Sequence, residues 1–101
     1  MLIYNVTIKV NRSIHDEWLK WLKEEHIPDL VGTGCFTNAV VLHLLEADDE
    51  EGITYAVQYH APSRELYEKY ISEYADEMRN RGHAKWGNQF IAFRTLMRLV
   101  D

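Results

Sequence analysis

Residues 24–36 read EEHIPDLVGTGCF, and the way the chain passes through them decides the fold. Pro28 disfavours helical geometry at Ile27 and removes a backbone donor. Regular helix is therefore expected to end near His26, with one further turn over Asp29 to Val31. Gly32 and Gly34 supply the permissive dihedrals for a reversal, and Phe36 opens a β-branched run. The stretch reads as the end of a helix and the entry to a strand.

Working outward, Leu2, Tyr4, Val6, Ile8 and Val10 alternate with Asn5, Thr7 and Lys9, the period of two of a half-buried strand. Ser13 is a good N-cap, and Asp16 three residues later completes a variant capping box. On the helix that follows, Ile14, Trp18, Trp21, Leu22 and Glu25 share one side at about 100° per residue, with His15, Leu19 and His26 on an adjoining flank. Downstream, FTNAVVLHLL (36–45) and ITYAVQYHA (53–61) read as two strands joined through the acidic tip EADDEEG (46–52). Ser63 caps a second helix whose face is Leu66, Tyr67, Tyr70, Ile71, Tyr74 and Met78, expected to end near Gly82. After the short piece HAKWGN, a last strand runs from Phe90 to Val100, with Ile91, Phe93, Met97 and Leu99 expected on the helix side and Arg94 and Arg98 opposite. The order βαββαβ closes most simply as an α+β, ferredoxin-like fold: a four-stranded antiparallel sheet with both helices on one face, a single domain over residues 1–101.

That assignment leaves Asn5, Thr7, Lys9, Thr54, Ala56, Gln58, His60, Phe90, Ala92, Arg94 and Leu96 on the other face. Small, neutral and aliphatic residues with a few polar groups suit a sheet-to-sheet interface, so a homodimer through this face, a dimeric α/β-barrel, is expected. The alternative is an ordinary solvated face. RNA-binding domains of the same topology stack bases on aromatic side chains there; with Tyr4, Tyr55, Tyr59 and Phe93 read on the helix side, no nucleic-acid partner is expected.

Composition narrows the field further. The chain has 101 residues, 47% of them hydrophobic, and a formal charge of -5, which opposes binding to a phosphate backbone. No run approaches the roughly 20 apolar residues of a membrane span, and the N-terminal stretch goes straight into strand alternation, so a cytoplasmic protein without membrane contact is expected. Cys35 is the single cysteine; beside Phe36 it reads as a small buried filler rather than a nucleophile. No two histidines stand three or four apart, and neither a metal nor any other cofactor is expected.

Candidate chemistry gathers between helices and sheet. Trp18, Trp21, Tyr55, Tyr59, Tyr70 and Tyr74, with Tyr4 and Tyr67, make an aromatic-rich interior, the kind of wall a small hydrophobic or aromatic ligand takes; strand and helix spacing alone also accounts for these rings as solid core. Glu25 on an apolar helix face and Arg81 at a comparable azimuth are anomalies. A buried carboxylate is paired or protonated, and if it lines a cavity it suits acid or base work; both side chains can also bend to solvent. His26 is the other proton-transfer candidate, although the helix dipole already favours a histidine in a last turn. His83, close to Trp86, is another loop candidate, open to the same bland explanation.

The combination of IYNVT (3–7), EEHIPDL (24–30), TGCF (33–36), TYAVQY (54–59) and FIAFRTL (90–96) resembles a bacterial family of uncharacterised proteins, the domain of unknown function 4286, over essentially the whole chain. The resemblance implies a ferredoxin-like protein and no established activity. More distantly, a helix ending in Glu-His-x-Pro before a glycine turn looks like the dimeric α/β-barrel proteins, which include cofactor-independent monooxygenases and small-ring isomerases; there a histidine at the corresponding helix end faces the cavity in some members, and that position is His26. The diagnostic Asn and Trp constellation of those enzymes is not seen. The reading is a homodimeric small-ligand-binding domain, with His26 and Glu25 as the proton-transfer groups of an enzymatic version and Trp18, Trp21, Tyr55, Tyr59, Tyr70, Tyr74 and Arg81 around the ligand. The rival is a non-catalytic structural or interaction dimer with a filled core.

Overall fold

The computed structural model describes residues 1–101. Strand β1 (Leu2–Asn11) carries the alternation into the centre of a sheet ordered β2-β3-β1-β4, with β2 spanning Asn38–His43, β3 Gly52–Ala61 and β4 Phe90–Arg98. Every neighbouring pair is antiparallel. Gly52 stands where β3 passes β1: a Cβ there would lie 2.7 Å from the Val10 carbonyl oxygen, so only glycine fits without a backbone shift. Leu2, Tyr4, Val6, Ile8 and Val10 are all buried, in one core with Val57, Tyr59 and the inner helix residues Trp18, Leu22, Tyr70, Met78 and Trp86.

The first helical run differs from expectation in the decisive stretch. Ser13 is not its cap; it sits in a 3-10 turn (Arg12–Ile14), and helix α1 (His15–Trp21) follows with Asp16 and Glu17 in its first turn, where carboxylates suit the dipole. Pro28 does not end the helix. A π-helical segment, Leu22–His26, intervenes, and the Ile27 N–H bonds to the Leu22 carbonyl five residues back. Pro28 then stands in the first turn of α2 (Ile27–Gly32), where a missing donor costs least. The widened turn is the accommodation. Gly34, at φ 83°, makes the reversal into β2.

Ser63 caps α3 (Arg64–Glu73) as expected, its Oγ accepting from the Leu66 N–H at 3.2 Å. A break at Tyr74 (φ -126°, ψ -27°) separates α3 from α4 (Ala75–Trp86). Helix α4 runs through Gly82 instead of stopping there, and ends at Gly87 with φ 62°. Gly82 is buried because Trp21 and Phe90 pack against it, each 3.7 Å from where its Cβ would be. No helix is long and apolar enough to cross a membrane.

The faces of β4 are the reverse of the sequence expectation. Val10 pairs with Phe90, Ile8 with Ala92, Val6 with Arg94 and Tyr4 with Leu96, which places Phe90, Ala92, Arg94 and Leu96 on the helix side, since directly opposed residues point the same way. Ile91, Phe93, Thr95 and Met97 lie on the open face. The strand is apolar in both alternations, so period two could not choose between them and the pairing register did. The open face therefore carries exposed Val40, Leu42, Ile91 and Phe93, around Asn5, whose Nδ2 donates to Thr7 Oγ1 at 3.0 Å.

Candidate functional site

The π-helical segment, α4, β1 and β4 meet around a cavity of about 50 Å³. Its floor is Tyr4, Val6, Ile8 and Tyr59 from β1 and β3, with Phe90, Ala92 and Arg94 from β4; its roof is Trp18, Trp21, Leu22 and His26, with Tyr70 from α3 and Met78, Arg79 and Gly82 from α4. At roughly 10–15 Å³ for each water the space admits several waters, or the head group of a small molecule.

His26 is turned into this cavity and stacks on Trp21 with ring centroids 4.5 Å apart. In the π-turn each residue advances less around the axis than in an α-helix, which carries a side chain expected on the flank of the helix round to its inner face. Burial pushes the His26 pKa down to about 4, against the pull of Asp29 and helped by the charges of Arg81 and Arg94. The ring is neutral at pH 7. Burial likewise raises Tyr59 and Tyr70 above the ordinary tyrosine range; the neighbouring Tyr4 adds to both, and Arg79 and Arg94 oppose it at Tyr70. These hydroxyls stay protonated, able to donate and accept. Arg79 Nη2 donates to Tyr4 Oη at 3.2 Å, joining α4 to the cavity floor.

Of the residues singled out in the sequence, Trp18, Trp21, Tyr59, Tyr70 and His26 come together here. Glu25 does not: it is exposed on the outer side of the π-helical segment. The same shift that turns His26 inward turns its neighbour out. Arg81 is also outside, paired with Asp29 at 3.1 Å and Glu77 at 2.8 Å, and it lines an open groove with Tyr74 rather than the cavity. Tyr55 belongs to a separate polar cluster at the other end of the sheet. There its hydroxyl meets His15 Nε2 at 2.7 Å, His15 Nδ1 meets Asp16 at 3.0 Å, and the His43 ring lies 5.2 Å away. Burial, Asp49 and Asp16 raise the Tyr55 pKa, the opposite of what an activated phenolate needs. His83 stacks on Phe90 from the exposed side, and Cys35 is fully buried. No group of three or more His, Cys, Asp or Glu side chains comes together in metal-binding proximity.

Two charged cavity residues escaped the sequence reading: Arg79, and Arg94, which was expected on the open face. The signal for Arg94 is an arginine interrupting the apolar alternation Phe90, Ala92, Leu96.

A family model described as Domain of unknown function (DUF4286) matches residues 1–100. The chain belongs to this family. No curated protein matches it. The DUF4286 fold is similar to the solution NMR structure of a de novo designed protein with ferredoxin fold, LFR1 1, at 17% identity and a TM-score of 0.53, covering 100% of this chain and 89% of that one. At that identity the likeness concerns the fold alone, and the DUF4286 chain is a ferredoxin-like α+β protein.

Proposed function

We propose that this chain is a small-ligand-binding domain that works in the cytoplasm as a homodimer, with the aromatic-walled cavity between helices and sheet as its binding site. The observation that carries the reading is the π-helical segment. It departs from the more stable α-helical bonding pattern and thereby delivers a neutral histidine, stacked on Trp21, into the cavity. Such local departures are frequent at functional sites, and His26 adds a donor and an acceptor to a wall otherwise dominated by apolar groups. Catalysis is the weaker form of the reading: a base with a pKa near 4 accepts protons poorly at neutral pH, and Glu25 faces solvent.

The dimer rests on the open sheet face. Val40, Leu42, Ile91 and Phe93 are exposed there, Phe93 by 63%, and Lys9 is the face's charged residue along the paired strands. One cation does not make a phosphate-binding surface, whereas an apolar face with a neutral centre is complementary to a second copy of itself. Strands about 4.8 Å apart, three of them about 30 Å long and the six-residue β2 about 20 Å, present a flat footprint of about 550 Å² before side-chain relief, somewhat below the roughly 800 Å² each partner contributes to a standard interface. The rival reading, a non-catalytic dimer with a filled core, is favoured by the modest cavity volume.

Native mass spectrometry of the protein purified gently from its own source tests both parts. The proposal predicts a species at twice 11.9 kDa that retains additional small-molecule mass. A bare monomer would overturn it, and a bare dimer would favour the filled-core reading.

A further inference from the structure

Two cations border the cavity, Arg79 partly buried and Arg94 at its exposed edge, and no carboxylate lines it. Arg79 and Arg94 both line it, and neither appears in any ion pair of the chain, although Arg81 takes Asp29 and Glu77 and Arg64 takes Glu68. The chain carries 16 acidic residues against 11 basic ones; Asp76 acts on Arg79 from outside, but no carboxylate lines the cavity itself. Arg79 donates once, to the Tyr4 hydroxyl, while its Nε is buried and finds no acceptor in the chain. A buried donor without an acceptor is costly, and a charged one more so. Arg79, Arg94 and Tyr70 all line this one cavity. The neutral Tyr4, Tyr59 and Tyr70 hydroxyls add donors that an oxyanion can use.

Resting on the ligand-binding reading above, we infer that the cavity takes a small organic monocarboxylate, its carboxylate held by Arg79 and Arg94 and its apolar body against Trp21 and Phe90. The planar guanidinium fork matches a carboxylate in two parallel hydrogen bonds. The remaining wall is mostly apolar and the space is small, which suits a monoanion with a hydrocarbon body better than a strongly hydrated multivalent anion.

Isothermal titration of the whole chain at pH 7 tests this with propionate and benzoate, the neutral counterparts propanol and benzyl alcohol, and inorganic phosphate. The carboxylates are expected to bind at least about tenfold more tightly than the alcohols. Arg94→Gln and Arg79→Gln are each expected to weaken carboxylate binding about tenfold or more, the loss of a charge-assisted hydrogen bond, and to leave the alcohols within about twofold. Arg94 is exposed, so its variant keeps the fold and the test stands even if Arg79→Gln unfolds. Alcohols binding as well as the acids would overturn the inference and leave the ligand cavity standing. Absence of binding by either class would overturn both. Tighter binding of phosphate, or carboxylate binding unchanged in both variants, would overturn the carboxylate assignment.

Discussion

Replacing His26 by phenylalanine keeps a ring against Trp21 and removes the titrating group, which isolates the effect of burying a histidine in this cavity. In the folded chain His26 titrates near 4, against 6.5 for an unperturbed imidazole. Between those values the unfolded chain holds a proton that the folded chain excludes, so stability rises with pH through the window and is complete above about pH 7. One pKa unit corresponds to about 1.4 kcal/mol. The His26 contribution is thus a loss of about 2 kcal/mol at pH 5 and about 3 kcal/mol at pH 4, relative to neutral pH, with a slope approaching 1.4 kcal/mol per pH unit in the middle of the window. Urea denaturation at 25 °C from pH 4 to 8 measures it for both proteins. The difference between wild type and His26→Phe is expected to follow that curve, with the variant gaining on wild type as the pH falls. In parallel, the His26 ring protons are expected to titrate by NMR with a midpoint near 4. Stability curves that run parallel, or a midpoint near 6.5, would refute the reasoning, because they would mean that the ring faces water rather than the cavity.

Other outcomes follow from the packing. Gly82→Ala adds a methyl at ordinary contact distance from Trp21 and Phe90 and improves helix propensity by about 1 kcal/mol, so thermal unfolding is expected to rise by several degrees while ligand affinity falls; a lower melting temperature would show that the cavity edge has no room. Ser63→Ala removes the cap on the Leu66 N–H and is expected to cost about 1 kcal/mol in urea denaturation; no loss would mean that water replaces the cap. Leu22→Ala in the π-helical segment, where Leu22 is 1% exposed, is expected to cost about 2–5 kcal/mol, and a cost below 1 kcal/mol would place the segment outside the core. Phe93→Glu combined with Leu42→Glu puts charges on the same row of the open face and is expected to yield monomers by light scattering, with an unchanged mass refuting the sheet-face dimer.

Much of the topology was legible in the sequence because its signals were redundant. The alternation of β1 and β3, the cap at Ser63 and the turn glycine Gly34 each pointed to the same βαββαβ order. What escaped was whatever depends on relations between elements. Pro28 read as a stop because local sterics favour one, while the observed helix continues by widening at Leu22–His26; the packing of Trp18, Leu22 and Leu30 into one core outweighs the local preference. Gly82 read as a helix end, although its smallness serves contacts with Trp21 and Phe90 that no local pattern reveals. The faces of β4 were ambiguous because both alternations are apolar, and only the Val10 to Phe90 pairing resolves them. That reversal bears directly on the candidate site, since it puts Arg94 at the edge of the cavity instead of on the open face and Phe93 on the open face instead of in the core. The aromatic half of the site, Trp18, Trp21, Tyr59 and Tyr70, was visible from periodicity; the cationic half was not, because Arg79 and Arg94 become a pair only when α4 and β4 are brought together.

The most direct test of the binding site is a ¹H–¹⁵N spectrum of the uniformly labelled chain during addition of benzoate. Progressive, saturable shifts of the Arg79, Gly82, Ala92 and Arg94 amides, whose residues line the cavity, are expected, with the β2–β3 tip unmoved. Unchanged cavity amides up to millimolar ligand, or shifts confined to the open sheet face, would contradict the site.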